Sequence, residues 1–224
     1  MGTRDQGDQL SHGLTDRDGV SMKNALSALL ALAAASAFTA ACAQQTYPVK
    51  SIRLLVGFAP GGPSDVGART IAQKLNEKWG QSVIVDFRPG AAGNIATELA
   101  AKAPPDGYTL LSAAFAHAVN QSMYSKLPFN TEKDFAPILM FASVSNLLVA
   151  HPSLPVRSVK ELIALAKSRP EQLTVGSAGN GTSSHLSGEL LKTMAGIKLT
   201  HVPYKGLSPA HVDTIGGQLS LLFD

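Results

Sequence analysis

Residues 52–65 read IRLLVGFAPGGPSD, and the fold class turns on how that stretch is parsed. Ile52, Leu54, Leu55 and Val56 make a short apolar run closed by Gly57, which is a strand signal. Pro60, Gly61 and Gly62 supply a turn. The turn runs from Gly57 through Pro63, and Asp65 follows as a first-turn acid. Beyond it Ala68, Ile71, Ala72, Leu75 and Trp79 recur every three or four residues, predicting a helix over 64–78 that Gly80 stops.

The same unit repeats along the chain. Strands are expected at 82–87, 108–113, 173–177, 199–202 and 218–223, and helices at 94–102, 158–167, 183–194 and 209–215. That alternation implies an α/β fold with parallel strands. The apolar run APILMFASVSNLLVA at 136–150 is broken by polar residues at 143–146 and reads as two strands. A crossover at 143–146 divides a first domain, 44–144, from a second, 145–224. The last strand ends beside Asp224 with no connection to cover the sheet, so a chain lacking its C-terminal part is expected.

Composition narrows the class. The 224 residues are 45% apolar and 16% charged, with 20 Gly, 13 Pro, one Cys and a net charge of +3. This excludes a disordered chain, a coiled coil and a disulfide scaffold, and the few scattered Lys and Arg argue against a nucleic-acid partner. Residues 25–41, ALSALLALAAASAFTAA, are uncharged, follow Lys23 and end in small residues, the layout of a signal peptide cleaved after Ala43. The run is at the lower limit for a membrane span. Cys42 after two alanines leaves a lipid anchor as the less favoured alternative, because Thr39 stands where such a site wants leucine. Residues 1–21 are an odd start for such a peptide, and Met22 is an alternative beginning. Export removes Arg4, Arg17 and Lys23 but also Asp5, Asp8, Asp16 and Asp18, moving the net charge from +3 to +4. No cysteine then remains, so the exported part must rest on an ordinary packed core.

Three turns are built from glycine: GFAPGG (57–62), PGAAG (89–93) and GSAGNG (176–181). Each is expected to expose backbone N–H groups near a helix N-terminus, where the dipole favours an anion. Plain turn chemistry would also place glycine there. Val56-Gly57-x-Ala59-x-x-Gly62-x-Ser64 matches Val175-Gly176-x-Ala178-x-x-Gly181-x-Ser183 at an offset of 119, which suggests two half-sites holding one ligand between domains. No GxxxxGK[ST], GxGxxG or GxSxG occurs, which argues against a phosphate loop, a dinucleotide site and a hydrolase elbow. His185 and Glu189 lie one helical turn apart, but two ligands are too few for a metal, and a capping hydrogen bond is the preferred role for His185. Asp65 reads as a first-turn acid, or alternatively as a group orienting a substrate ammonium or hydroxyl.

Six ordered segments carry a resemblance: FAPGGPSD (58–65), RPGAAGN (88–94), PPDGYTL (104–110), KDFAP (133–137), SAGNGTSSHL (177–186) and HVPYKG (201–206). Over 47–224 the chain resembles the Bug-type extracytoplasmic solute receptors of tripartite tricarboxylate transporters. That resemblance implies a type 2 periplasmic binding protein, two α/β domains around a cleft, working in the periplasm as a monomer without cofactor or metal. It further implies a small carboxylate ligand and integral-membrane permease subunits as partners. Carried over by motif, Pro60, Gly61, Gly62, Ser64 and Asp65 form one wall, and Ser177, Ala178, Gly179, Asn180, Gly181, Thr182 and His185 the other. Ala113, Ala114 and His117 are a third contact. Two departures stand out: Ala113-Ala114-Phe115 where small hydroxyl residues are common, and Ala92 where glycine is usual, the second expected to matter little. The competing readings are a sensor subunit of a signalling system and an α/β hydrolase or transferase using Ser64 or Ser177 with His117 or His185.

Overall fold

The computed structural model describes residues 46–224; the expected signal peptide, its cleavage site and Cys42 lie outside the described residues. Strand β1 (Ile52–Val56) runs between two parallel partners, β2 (Val83–Phe87) and β3 (Thr109–Ser112). Ile52, Leu55 and Val56 are completely buried, as a strand covered on both faces requires. Helix α1 (Pro63–Trp79) joins β1 to β2, and α2 (Asn94–Ala101) joins β2 to β3. The first connection steps to one side of β1 and the second steps back across it, so right-handed crossovers place the two helices on opposite faces. Ile52, Leu54 and Val56 pack with Val83 against Ala68 and Ala72 of α1. Gly80 closes α1 in the left-handed conformation (φ 65°), its N–H donating to the Asn76 carbonyl. Helix α3 (Phe115–Met123) follows β3.

A second sheet has the order β4-β7-β5-β6. Here β5 (Thr174–Ser177) lies parallel to β6 (Thr200–Pro203) and β7 (Leu221–Phe223), and β4 (Leu148–Ala150) is antiparallel to β7. Helices α4 (Val159–Ser168), α5 (Ser183–Ala195) and α6 (Leu207–Ile215) connect these strands. One core gathers Leu162 and Ala166 of α4 with Val175, Ile197, Leu199 and Leu221; the other gathers Ala210, Leu219 and Leu222. The α/β reading holds, with parallel strands apart from β4 and element ends shifted by up to three residues, the most at β7, which begins at Leu221 and not at 218.

The exception is 136–150, which forms one strand, β4, and not two. A strand needs a ladder partner for its backbone groups. Among the described residues none runs beside 136–146, and Ile138, Leu139 and Met140 are exposed. Helix α3 went unanticipated because its start, Ala114, is neither a glycine nor a capping side chain, whereas every other helix among the described residues starts behind one or the other.

Candidate functional site

The loops after β1, β2, β3, β5 and β6 all leave the carboxyl ends of parallel strands, the edge where α/β proteins place ligands. In this chain they converge. Phe58, Ala92 and Ala116 form a buried cluster with Ala114 and Ala178, so loops from both sheets share one apolar patch. The Ala59 N–H donates to the Lys205 carbonyl at 2.9 Å, and Ser208 Oγ donates to the Pro60 carbonyl at 2.6 Å. A methyl group added to Gly179 would stand 3.2 Å from the Tyr204 carbonyl oxygen and 3.8 Å from Ala92 Cα. One added to Gly181, held at φ 83°, would stand 3.2 Å from Asn120 Oδ1 of α3. Asn120 is almost wholly buried; its Nδ2 donates to Asn94 Oδ1 and its Oδ1 has no partner among the described residues.

The turn between β2 and α2 is held in an uncommon backbone. Gly90, Ala91, Ala92 and Gly93 all have positive φ, Ala92 at 52°. The alanine that departs from the usual glycine therefore sits where a side chain is strained, yet its methyl is part of the shared apolar cluster. Gly57 meets this turn at close range, since a methyl there would lie 2.5 Å from Gly93 Cα.

In the first loop Pro60 and Gly61 are exposed, Gly62 is the buried N-cap of α1, Ser64 is half-buried and Asp65 is buried. Asp65 turns inward: Oδ2 accepts the Gly61 N–H at 2.8 Å and Oδ1 pairs with the Arg69 guanidinium. The second loop is tied to itself more densely. Gly179 N–H donates to Ser177 Oγ at 3.1 Å, Ala178 N–H to Ser184 Oγ at 3.0 Å, and Gly181 N–H to His185 Nδ1 at 3.1 Å. Thr182 caps α5 by accepting the His185 N–H, and its hydroxyl donates to the Gly179 carbonyl. The capping role read for His185 is thus present, directed at Gly181.

This corrects the expectation that the loops simply expose their amides. Ala59, Gly61, Ala178, Gly179 and Gly181 have acceptors within the chain. The amides of Gly62 and Ser64 at the start of α1, and of Asn180, Ser183 and Ser184 at the start of α5, have none among the described residues. Donors of this kind, with two helix dipoles behind them, are chemically suited to an anion.

The third candidate contact divides. Ala114 joins the shared cluster, whereas Ala113 is exposed. The His117 ring stacks on Phe129 and meets Phe135 edge-on at 5.0 Å, packing that ties it to 129–135. Burial holds its pKa below the ordinary imidazole range. Ser177 is completely buried, with its Oγ 2.7 Å from His201 Nε2, so no attacking hydroxyl is presented. Among the described residues no group of three His, Cys, Asp or Glu is placed to hold a metal. Motif reading overlooked Asn120, His201 and Ser208. His201 lay inside the quoted HVPYKG segment, but nothing in the sequence near Asn120 marked it.

The site sits within a region of clear relatedness. A family model described as "Tripartite tricarboxylate transporter family receptor" matches residues 67–223. Protein BugT of Bordetella pertussis is 38% identical over 186 residues, covering 82% of this chain and 57% of BugT. Among solved structures, R. palustris Rpa4515 with adipate is 42% identical with a TM-score of 0.77, over 80% of this chain and 60% of that one. MatC (Rpa3494) from Rhodopseudomonas palustris with bound malate is 31% identical with a TM-score of 0.72, over 80% and 61%. The chain therefore spans about three fifths of the length of these relatives.

Proposed function

The chain belongs to the receptor family of tripartite tricarboxylate transporters, and from that premise we propose that its protein is a periplasmic solute receptor. It captures a small carboxylate between the loop that opens α1 and the loop that opens α5, then delivers it to the membrane subunits of a permease. The observation that carries this reading is the pair of helix N-termini whose amides at Gly62, Ser64, Asn180, Ser183 and Ser184 have no acceptor among the described residues, on loops that share one apolar cluster through Phe58 and Ala178. Backbone donors and helix dipoles stabilise a carboxylate without a flexible cation. A ligand gripping both loops favours the state in which they are together. The two sheets are the two domains of the cleft, and one chain supplies both walls, so a monomer suffices.

Binding is the role, and not catalysis: the family is one of transporter receptors, and Ser177, the loop serine that meets His201, is sealed from solvent. Adipate and malate, the ligands of two structural neighbours, define the first compounds to try. Calorimetry against C4–C6 dicarboxylates, tricarboxylates, aromatic acids and acidic amino acids should find one tight binder. Nucleotide binding with no carboxylate binding would overturn the proposal.

A further inference from the structure

The glycine loop at 176–181 rests on two imidazoles. Ser177 Oγ, which accepts the Gly179 N–H, lies 2.7 Å from His201 Nε2. His185 Nδ1 accepts the Gly181 N–H, and the His185 and His201 rings stand 4.3 Å apart, tilted by 33°. Parallel pairing of β5 with β6 sets Val175 opposite His201, which brings the imidazole alongside the strand end where the loop begins. We propose that His201 is a positioning residue for this loop: through Ser177 and the His185 ring it sets the direction of the Gly179 and Gly181 amides, and it couples the loop's shape to protonation of the imidazole pair.

The chemistry of the two rings gives the coupling its sign. The Gly181 N–H needs an acceptor at His185 Nδ1, and only neutral imidazole offers one. The His185 proton then sits on Nε2, which faces Glu189 Oε1 at 3.7 Å. A proton added at Nδ1 sets donor against donor, and the Gly181 amide must turn away. Two imidazolium rings at this separation repel, so the second proton enters far less readily than the first. The charges acting on the pair are Glu189, which favours the cation, and Lys192, which opposes it, both from α5. Burial, the largest influence, opposes charge at both rings, and with the His185 ring beside it holds His201 down at about 4. At neutral pH the pair is uncharged and the loop is held. As pH falls below the ordinary imidazole range, the hold on Gly181 is lost first.

The consequence for capture, weaker binding in acid, rests on the carboxylate-receptor reading; the behaviour of the loop does not. Amide hydrogen exchange, followed by NMR on the whole chain without ligand between pH 7.5 and 4.5, separates the two. In His201→Ala the protection factors of Gly179 and Gly181 should fall at least tenfold at pH 7, while amides of β1 keep theirs. Wild type should lose a similar factor at Gly181 on acidification. His201→Gln keeps a hydrogen-bonding group for Ser177, so Gly179 should stay protected, and because His201 is still uncharged when His185 takes its proton, the acid loss at Gly181 should keep its midpoint. Protection within twofold of wild type in His201→Ala, or Gly179 no better protected in His201→Gln than in His201→Ala, overturns the positioning role. If His201→Ala does not fold, His201→Gln decides alone: Gly179 protection near that of wild type supports the role and a tenfold loss overturns it. Adipate titration of the same proteins is read separately: binding weakened in His201→Ala supports both readings, and loss with loop protection intact counts against the positioning role.

Discussion

Gly57→Ala is the sharpest steric test of how the loops meet. The new methyl would lie 2.5 Å from Gly93 Cα, with the Gly93 carbonyl oxygen and carbon at 3.2 and 3.3 Å. Carbon atoms rest best at about 3.5–4.0 Å, so roughly 1 Å must open between two backbone segments, and no flexible side-chain end is there to yield. Overpacking costs about 1–3 kcal/mol, and rigid backbone on both sides points to the upper end. For a domain of this size, 3 kcal/mol lowers the Tm by about 6–12 °C. Gly62→Ala is the matched control, because Gly62 has φ −96° and nothing within 4 Å of an added methyl. Its cost should stay below about 1 kcal/mol, that of a weaker N-cap. Urea and thermal unfolding of the three proteins, followed by circular dichroism at pH 7, give both numbers. A Gly57→Ala protein within about 0.5 kcal/mol of wild type, or a Gly62→Ala protein equally damaged, refutes the close approach.

Other outcomes follow from the same geometry. Asp65→Ala should cost about 1–3 kcal/mol in urea unfolding, since it strips the acceptor from the Gly61 N–H. Arg69→Ala, removing only the largely exposed partner, should cost less than about 1 kcal/mol. Ala92→Gly relieves a left-handed alanine (φ 52°) worth about 1–2 kcal/mol but gives up a packed methyl worth about 0.8 kcal/mol and adds unfolded-state freedom. Its net effect should stay within about 1 kcal/mol, and a loss beyond about 2 kcal/mol would show that the methyl's packing dominates. Burial and a hydrogen bond to Asp213 push the Tyr204 phenol up to about 12. Stability from this group is present below pH 10 and lost as pH rises toward 12. Alkaline ultraviolet titration should show one late tyrosine step, absent in Tyr204→Phe.

Much of the fold was legible because it is written in short segments. The 52–65 stretch contains a strand, a turn and a helix start, and β1 and α1 appear where it placed them. Reading failed where the signal is not local. At 136–146 an apolar run looks like a strand, but a strand is a relation between two segments, and no partner runs there among the described residues. At α3 a helix forms behind Ala114, with neither the glycine nor the capping side chain that announces the other helices among the described residues. The site divides along the same line. Glycine loops, Asp65 and the capping role of His185 could be read from spacing, because their partners lie about four residues away.

The sequence by itself determined which loops carry the amides, which helices begin behind them and that the strands run parallel. Each of those choices depends on residues within a turn or two of one another. Tertiary structure decided which loops stand together, because the contacts between them arrive from afar. Ser177 meets His201 across 24 residues of chain, and Pro60 receives Ser208 across 148. Local chemistry sets the conformation a segment can adopt and most of the acceptors its amides meet, but only the path by which the chain returns sets which loops are neighbours. That return path set the loop that opens α1 against the loop that opens α6 and brought Phe58 beside Ala178.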